Sequence, residues 1–543
     1  MAPERPIEEM GEEEDEEEAE EALTSHPSAP SSELFDISTT VDPGYIISLI
    51  RKLLPHDVRD NPFSSVVNDH NGSIGSDAST EECAAGFPRA GAVNINNNEV
   101  EAMDTMDVLH GPNEREDSFH GSEHPRASVR EAAWEDYGCI LWDLAANRTH
   151  AEFMVENLIL EVLLATLTVS KSARIKEISL GILANLACHE VPQAHLVSTK
   201  GLVEIVFDQL FIDDIPCLSE TFWLLTLGLQ GSEFATWTEA LQPEPVLGRI
   251  LWITENTLNA QLLEKSLELL LAMLEGKKID QILLPSLVNL GLPSLLVNLL
   301  ATEMDNLAGE RMPERFPVLD LILRAIEALS VNDNYSQLIS SNEELLRLVY
   351  NLVKLPDKVE VASSCVSSVV LISNILTDAP GLALAMSHDF PFLQGLLENF
   401  PLVSDDSEAR SALWSVLARL LVQVEEHDVS PSNLHKYVEV LVKNLNFIEE
   451  DLIDHQVEES SEDFFKSSST SAMESTVRTT LNKLVCILNR WTAATDDFSR
   501  EHHLDHLCSR VFYVLFGVLT ALDKTAGVGN CVRMFQRGQG GSG

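Results

Sequence analysis

The chain has 543 residues and a formal net charge of −50 at pH 7, from 36 Lys and Arg residues against 86 Asp and Glu residues. Such an acidic chain is repelled by nucleic-acid phosphates, which argues against direct binding to DNA or RNA as its main activity. Apolar residues make up 45% of the chain, as in folded proteins, so disorder throughout is excluded. We therefore expect a folded protein with a strongly acidic part.

The N-terminal region divides into three segments by composition. Residues 1–33 contain EEMGEEEDEEEAEE, a run of like charges with little to bury, which predicts a disordered acidic arm. Residues 64–127 are rich in Asn, Gly, Ser and His and predict a disordered linker. Between them, in 34–63, the sequence GYIISLIRKLL (44–54) follows an Asp-Pro start signal and predicts a short amphipathic helix. Its apolar face has two candidate partners: the chain's own folded domain, or a groove on another protein.

From residue 128 onward, long helical apolar periodicity dominates and prolines lie between the apolar runs and not within them, which predicts an all-α domain. The strongest helix of each successive unit provides one apolar anchor: Leu183, Leu225, Leu269, Ile326, Leu371, Val416 and Leu484. The steps between anchors are 42, 44, 57, 45, 45 and 68 residues. Most of them match the roughly 40 to 47 residues of an armadillo or HEAT repeat.

The two long steps each contain a polar stretch, and we predict inserted loops at 302–317 and 452–475. A unit of this size cannot bury its own apolar face, so neighbouring units must stack around one continuous core. Short apolar segments joined at Gly201 and Gly291 fit the first-to-second helix turn of armadillo units. The sequence therefore predicts an armadillo/HEAT-like right-handed α-solenoid of about seven units over residues 128–525, followed by a flexible tail over 526–543.

Asn185, Trp223 and Trp414 are the candidate contacts for an extended peptide in the groove of such a solenoid. In nuclear-import armadillo proteins, a groove Asn holds the peptide backbone with its donor and acceptor, and a Trp packs the side-chain stems. Neighbouring units carry Leu or Ala at the position of Asn185, so the ladder is interrupted here. A structural role for Asn185, satisfied between helices, is the alternative.

The sequence offers little support for reaction chemistry. Eight irregularly spaced cysteines without a CxxC pair predict reduced thiols in an intracellular protein. The segment EHHLDHLC contains the densest set of metal-ligand side chains, but one turn supplies two or three ligands and lacks a fourth, and the same residues start an ordinary amphipathic helix: His502, His503, His506 and Cys508. Nucleophile, zinc-protease and phosphate-loop motifs are absent from the sequence. We predict no metal, no cofactor and no enzymatic activity.

Residues 457–463 (VEESSED) form a predicted acidic loop. Ser460 and Ser461 precede two acidic residues, as in the sites of acid-directed kinases, and a plain solvated loop is the alternative. The longest charge-free stretch, 361–377, carries five serines and one asparagine. Together with an acidic start, this composition predicts neither a membrane span nor a secretory signal.

Residues 142–190 carry a more specific pattern, in which a Trp-Asp pair is followed by KEISLGILANLAC. The pattern resembles the serum amyloid A-like family, an intracellular family of armadillo type, through six positions: Trp142, Asp143, Glu177, Gly181, Asn185 and Cys188. Because the chain is longer than an animal member is expected to be, the resemblance implies a plant or other distant member. It also implies a nuclear or cytosolic binding protein that is associated with cell proliferation and lacks a known enzymatic activity.

The repeat architecture and the resemblance predict one class of function. Stacked helical repeats present an extended concave surface, so we expect a scaffold or adaptor that binds protein partners through the solenoid groove. Direct contact with nucleic acid, membrane or a small-molecule substrate is not expected. The alternative is a transport-type adaptor that recognises basic peptides. The resemblance alone favours a location in the nucleus, the cytoplasm or both.

Overall fold

The computed structural model describes residues 41–54, 125–276, 278–309, 311–426, 430–459 and 468–495. The predicted acidic arm, nearly all of the predicted linker and the C-terminal tail lie outside these ranges. Within them, the chain forms only helices and connecting turns: α1 (Pro43–Leu53), α2 (Pro125–Ala145), α3 (Arg148–Glu156), α4 (Ile159–Val169), α5 (Ala173–Ala187), α6 (Glu190–Ser198), α7 (Leu202–Asp208), α8 (Ile215–Gln230), α9 (Phe234–Leu241), α10 (Glu244–Asn256), α11 (Ala260–Glu275), α12 (Asp280–Asn289), α13 (Leu292–Ala308), α14 (Phe316–Ser330), α15 (Ser336–Ser340), α16 (Glu343–Val353), α17 (Ala362–Asp378), α18 (Leu382–Ser387), α19 (Phe390–Leu397), α20 (Phe400–Val403), α21 (Ser407–Glu426), α22 (Pro431–Lys443), α23 (Leu445–Glu459) and α24 (Ser468–Thr495). Short 3₁₀ turns lie at Gln209–Phe211, Pro313–Arg315 and Val359–Val361.

Polar side chains cap the first turns of several of these helices. The side chains of Asp214, Asn259 and Asn342 accept hydrogen bonds from backbone N–H groups in the first turns of α8, α11 and α16. Such caps satisfy donors that have no partner inside the helix. Pro285 departs from the predicted punctuation because it lies inside α12.

Eight long helices form one row in which each packs against the next: α2, α5, α8, α11, α14, α17, α21 and α24. The second helices of the units form a parallel row beside them, from α4 to α22. All seven sequence anchors lie in the row of long helices and are buried. Their side chains belong to a single hydrophobic core that extends through the described domain. The prediction of an all-α solenoid built from stacked units is therefore confirmed.

Left-handed residues mark the turns between first and second helices. Gly201 and Gly291 have φ angles of +86° and +97°, a conformation that glycine adopts without steric cost. Leu158 occupies the corresponding turn between α3 and α4 with φ +66°. A side chain at such an angle is crowded against the backbone, so this turn is strained relative to the two glycine turns.

The helix α1 caps the N-terminal end of the solenoid and packs on α2, α3 and α4. Trp134 Nε1 donates a hydrogen bond to the Leu53 carbonyl oxygen at 3.2 Å, and the Lys52 ammonium lies 4.4 Å from the centre of the Tyr137 ring. The apolar face of α1 is buried through Ile46, Leu49, Ile50 and Leu53. Of the two candidate partners for this helix, the chain's own folded domain is the one that the structure supports.

The two predicted inserted loops are wrong in most of their length. Residues 302–308 continue α13, and residues 452–459 and 468–475 belong to α23 and α24. Polarity was a misleading signal because some of these charges are paired inside the fold. The Glu303 carboxylate is buried and accepts from both Nε and Nη2 of Arg315, the former at 2.8 Å. A charge with such a partner can lie within a helix-packed core.

Among the residues that the structure describes, one helix, Val359–Asp378, is long and apolar enough to cross a membrane, and the bent pair Asp280–Asn289 and Leu292–Ala308 passes the same test together. Two thirds of the apolar window of the first helix is buried inside the solenoid. It packs between α14 and α21, in the position of a core helix.

Candidate binding groove

A groove of about 790 Å³ crosses four successive members of the row of long helices, α11, α14, α17 and α21. Its walls combine apolar and charged side chains, with small residues on α17. The lining comprises Leu274, Glu275, Asp280, Leu284, Asp320, Arg324, Glu327, Ala328, Val331, Asn332, Ala362, Ser363, Val366, Ser367, Val370, Leu402, Asp406, Glu408 and Ala409.

The helix α14 forms the middle of the groove. Asp320, Arg324 and Glu327 are spaced by four and three residues, which places them on one face of the helix. The opposite face carries the anchor Ile326 into the core. Because the apolar face of α14 is buried in the core, its charged face points into the groove, and the three charged side chains enter the groove together.

The charge of the groove is strongly negative. Among its lining residues, six carboxylates face one guanidinium, that of Arg324. Arg324 Nη2 donates to Glu275 Oε1 at 3.0 Å, so its charge is partly neutralised by that carboxylate. The remaining carboxylates create a field that attracts cations.

Two carboxyl groups on α14 respond to this environment. Burial raises the pKa of Glu327 to about 7, the charges of Glu408 and Asp406 raise it as well, and the Ser367 hydroxyl and Arg324 lower it. Burial also raises the pKa of Asp320, against the opposing effect of Arg324. Carboxyl groups whose pKa is raised to near neutrality are often found at binding and catalytic sites.

A third perturbed carboxyl group lies on α8, in the same row of helices. Burial raises the pKa of Glu220 to about 7, the charge of Glu177 raises it as well, and Lys265 acts in the opposite direction. The Glu220 Oε2 atom is buried without a hydrogen-bond partner. The acidic character of the groove face therefore recurs toward the N-terminal half of the row.

The three residues that were predicted as groove contacts do not line this groove. Trp414 is buried, and its Nε1 donates to Asp451 Oδ2 at 3.1 Å, so its predicted role as a groove contact is wrong. Trp223 is partly buried against the core of the domain. Asn185 donates from Nδ2 to the Trp142 carbonyl oxygen at 2.8 Å, which supports the alternative structural role.

The family-motif residues form a packing interface between α2 and α5. A Cβ atom on Gly181 would lie 2.1 Å from the indole ring of Trp142, so glycine is required for the ring to seat on α5. Asn185 ties the backbone of α2 to the same helix. Glu177 pairs with Arg174 at 2.7 Å on the helix surface. The motif therefore encodes the first helix contact of the row, whereas two of its members, Asp143 and Cys188, are exposed.

The other candidate sites lie outside the described residues. These are the predicted phosphorylation sites Ser460 and Ser461 and the histidine-rich segment from His502 to Cys508. Within the described ranges, no group of three or more His, Cys, Asp or Glu side chains is arranged to hold a metal ion.

The groove acids were missed by the sequence analysis because they are spread over residues 275–408 and meet only through stacking. One signal was available: Asp320, Arg324 and Glu327 are spaced by four and three residues in the sequence, so they share one face of a helix.

Three curated relatives named SAAL1 match part of the chain. The human protein is 33% identical over 129 residues, which cover 23% of this chain and 27% of that protein. The Xenopus tropicalis protein is 31% identical over 155 residues, covering 28% and 34% of the two chains, and the Danio rerio protein is 32% identical over 134 residues, covering 24% and 29%. The matched segment thus spans about a third or less of each relative's length.

Solved structures with a similar helical arrangement include a designed armadillo repeat protein in complex with the peptide (KR)4. It has a TM-score of 0.36 and 15% identity and covers 47% of this chain and 95% of its own. An engineered protein has a TM-score of 0.41 and 14% identity, covering 70% of this chain and 85% of its own. At these scores the solenoid assignment depends on the helix contacts of the chain itself.

No family model matches the chain. The Trp-Asp and KEISLGILANLAC pattern lies in α2 and α5. About a quarter of the chain is thus similar to SAAL1 proteins, and this similarity supports membership of the serum amyloid A-like family.

Proposed function

We propose that the chain is a non-enzymatic protein-binding scaffold and that its groove holds an extended segment of the partner. The observation that carries this proposal is the continuous groove across α11, α14, α17 and α21. Packed helices lie roughly 9 Å apart, so three steps span about 27 Å. An extended chain of about eight residues has this length. The solenoid presents such a surface to a polypeptide, which supports binding in place of catalysis.

The lining favours a segment that is both apolar and basic. Leu284, Val366 and Val370 offer apolar contacts, while the carboxylates of the groove favour Lys and Arg side chains. The net charge of the chain, −50, supports a protein partner over a nucleic acid.

A transport-type adaptor that recognises basic peptides is the second candidate function. The excess of carboxylates in the groove favours it. The side chains that would hold a peptide in the manner of the import receptors do not line the groove. Asn185 donates a hydrogen bond to a backbone carbonyl of α2, and Trp414 donates one to a carboxylate of α23. We therefore rank the scaffold first.

A crosslinking experiment tests the groove as the binding surface. A photoreactive amino acid is placed at Val331, which lies in the groove and is 64% exposed, or at Leu258, which is 96% exposed and lies outside it. We expect a partner protein to crosslink at position 331 and not at 258. Equal capture at both positions, or capture only at 258, would contradict the proposal. Basic transport cargo recovered at 331 would favour the second candidate.

The family resemblance supports two further proposals: a location in the nucleus, the cytoplasm or both, and a link to cell proliferation. Fluorescent tagging of the full chain tests the location, and a signal confined to secretory or other organelles would contradict it. Depletion of the protein followed by a cell-division assay tests the link.

A further inference from the structure

We propose that a single Lys or Arg side chain of the partner segment anchors at Glu327, and that this contact forms with release of one proton from the Glu327 carboxyl group. The inference rests on the proposed function, since it concerns an occupant of the same groove. In this step the carboxyl O–H bond breaks, its proton passes to water, and the carboxylate pairs with the incoming ammonium or guanidinium group.

The position of Glu327 makes it the centre of the groove. It lies on α14, which has α11 on one side and α17 and then α21 on the other along the row. Ser367 on α17 is near enough to lower the pKa of the Glu327 carboxyl group, and Val331, the residue directly after α14, also lines the groove. A long basic side chain can therefore lay its apolar stem along Val331 and place its charged end at the carboxyl group.

The charges that face this point from the surrounding helices are mostly negative. Arg324 is the nearest cation on the same helix, and its guanidinium already donates to Glu275 on α11. A cation from a partner would thus enter a region with more acidic than basic groups: Glu275 from α11, Asp280 from α12, Asp320 and Arg324 from α14, Asp406 before α21, and Glu408 from α21. The Coulomb attraction for one added positive charge is strongest where such fields overlap and water is partly excluded.

Proton release follows from the state of Glu327 in the empty groove. Its pKa of about 7, raised chiefly by burial and next by Glu408, leaves it about half protonated at neutral pH. A bound cation stabilises the ionised form and returns the pKa toward its ordinary range. Below pH 7 the partner must first displace a proton, whereas well above pH 7 the carboxylate is already formed. The partner's Lys and Arg side chains remain charged throughout this range.

The size of the effect follows from this linkage. In the empty groove, where the pKa of Glu327 is about 7, the protonated form outnumbers the ionised form about tenfold at about pH 6. At about pH 8 the group is almost fully ionised. We expect the affinity for a basic segment to fall about tenfold between about pH 8 and about pH 6. At about pH 7, binding should release about half a proton.

Isothermal titration tests the inference with the full chain and a short synthetic peptide in which lysine alternates with alanine. The peptide is titrated at several pH values, in two buffers of different ionisation heat, into the natural chain, Glu327→Gln and the control Glu239→Gln. Glu239 is an exposed residue of α9 outside the groove. Circular dichroism checks that both variants are folded, and the buffer comparison measures proton release on the natural chain without any substitution.

We expect the natural chain and Glu239→Gln to show the tenfold pH effect and the proton release, and Glu327→Gln to bind with the weak low-pH affinity at every pH. Binding with no pH dependence and no proton release would overturn the anchor at Glu327 while leaving the scaffold function intact. An unchanged pH effect in Glu327→Gln would also overturn it. Failure of the lysine peptide to bind at any pH would count against a basic occupant of the groove altogether.

Discussion

Removal of the Asp451 carboxylate should destabilise the C-terminal helices far more than an ordinary surface substitution. Arg410 on α21 and Asp451 on α23 are both nearly inaccessible, at 4% and 6% exposure. The guanidinium donates from Nε to Oδ1 at 2.6 Å and from Nη2 to Oδ2 at 2.8 Å. Trp414 Nε1 adds a third hydrogen bond to the same carboxylate. In Asp451→Ala, a buried guanidinium and an indole N–H lose their common acceptor.

The magnitude follows from the burial of the charge that remains. Breaking a buried ion pair by removing one partner costs about 3–5 kcal/mol. Stacked repeats can open locally, so the loss should be concentrated in α21 to α24. Each 1.4 kcal/mol is about tenfold in an equilibrium constant, so amide hydrogen exchange in these helices should accelerate between roughly a hundredfold and a few thousandfold. Exchange in α5 and α8 should change little.

Two further variants make the reasoning refutable. Glu450→Ala removes an exposed carboxylate from the same helix and should leave exchange nearly unchanged. The double variant Arg410→Met, Asp451→Leu removes both charges and should recover most of the lost protection, because an apolar pair needs no compensating charge. If the double variant exchanged as fast as Asp451→Ala, or if Asp451→Ala resembled Glu450→Ala, the ion pair would not be the source of the stability.

Three other perturbations address single features of the fold. Gly181→Ala places a methyl group against the indole ring that packs on α5, and we expect the free energy of unfolding in urea to fall by about 1–3 kcal/mol. Gly248→Ala, in a helix with open space around this residue, should raise the free energy of unfolding by about 0.4–1 kcal/mol. Leu158→Gly should raise the unfolding free energy by about 1 kcal/mol by relieving the left-handed turn, and a loss of stability would contradict the assignment of strain. Glu220 has a folded pKa of about 7, above its ordinary value of 4.5, so it binds more protons folded than unfolded and lowers stability as the pH rises between these values. Glu220→Gln should therefore be more stable than the natural chain at about pH 8, with the difference shrinking toward about pH 5, and equal stability at both pH values would refute the burial of this carboxyl group.

The positions of the long helices were predictable because their buried apolar residues recur in the sequence at regular spacing. Leu183, Leu371 and Leu484 recur at repeat spacing since each must face the same continuous core. The turn glycines Gly201 and Gly291 were predictable for a related reason, because their backbone angles suit few other residues. A search for glycine could not find the turn at Leu158, because there a leucine adopts the strained left-handed conformation.

The predictions of a loop at 302–317 and of Trp414 as a groove contact failed for one physical reason: local composition does not show which side chains are paired inside the fold. Glu303 looks like a loop residue until packing brings Arg315 to it. Trp414 looks like a groove contact until its N–H is seen to bond Asp451. Composition reports how polar a segment is, and only the fold determines whether that polarity is satisfied inside.

The Trp-Asp and KEISLGILANLAC pattern and the groove lie in different parts of the solenoid, so the pattern informs about the fold and the groove about binding. Trp142, Gly181 and Asn185 join α2 to α5, so the pattern identifies the fold at its N-terminal end. The groove begins at α11 and has its own chemistry, centred on Glu327. A change at Gly181 should therefore affect stability and leave groove chemistry intact wherever the chain still folds. A change at Glu327 should affect binding and its pH dependence with little effect on folding. The partner must be sought with groove variants, because the residues of the Trp-Asp and KEISLGILANLAC pattern hold α2 and α5 together.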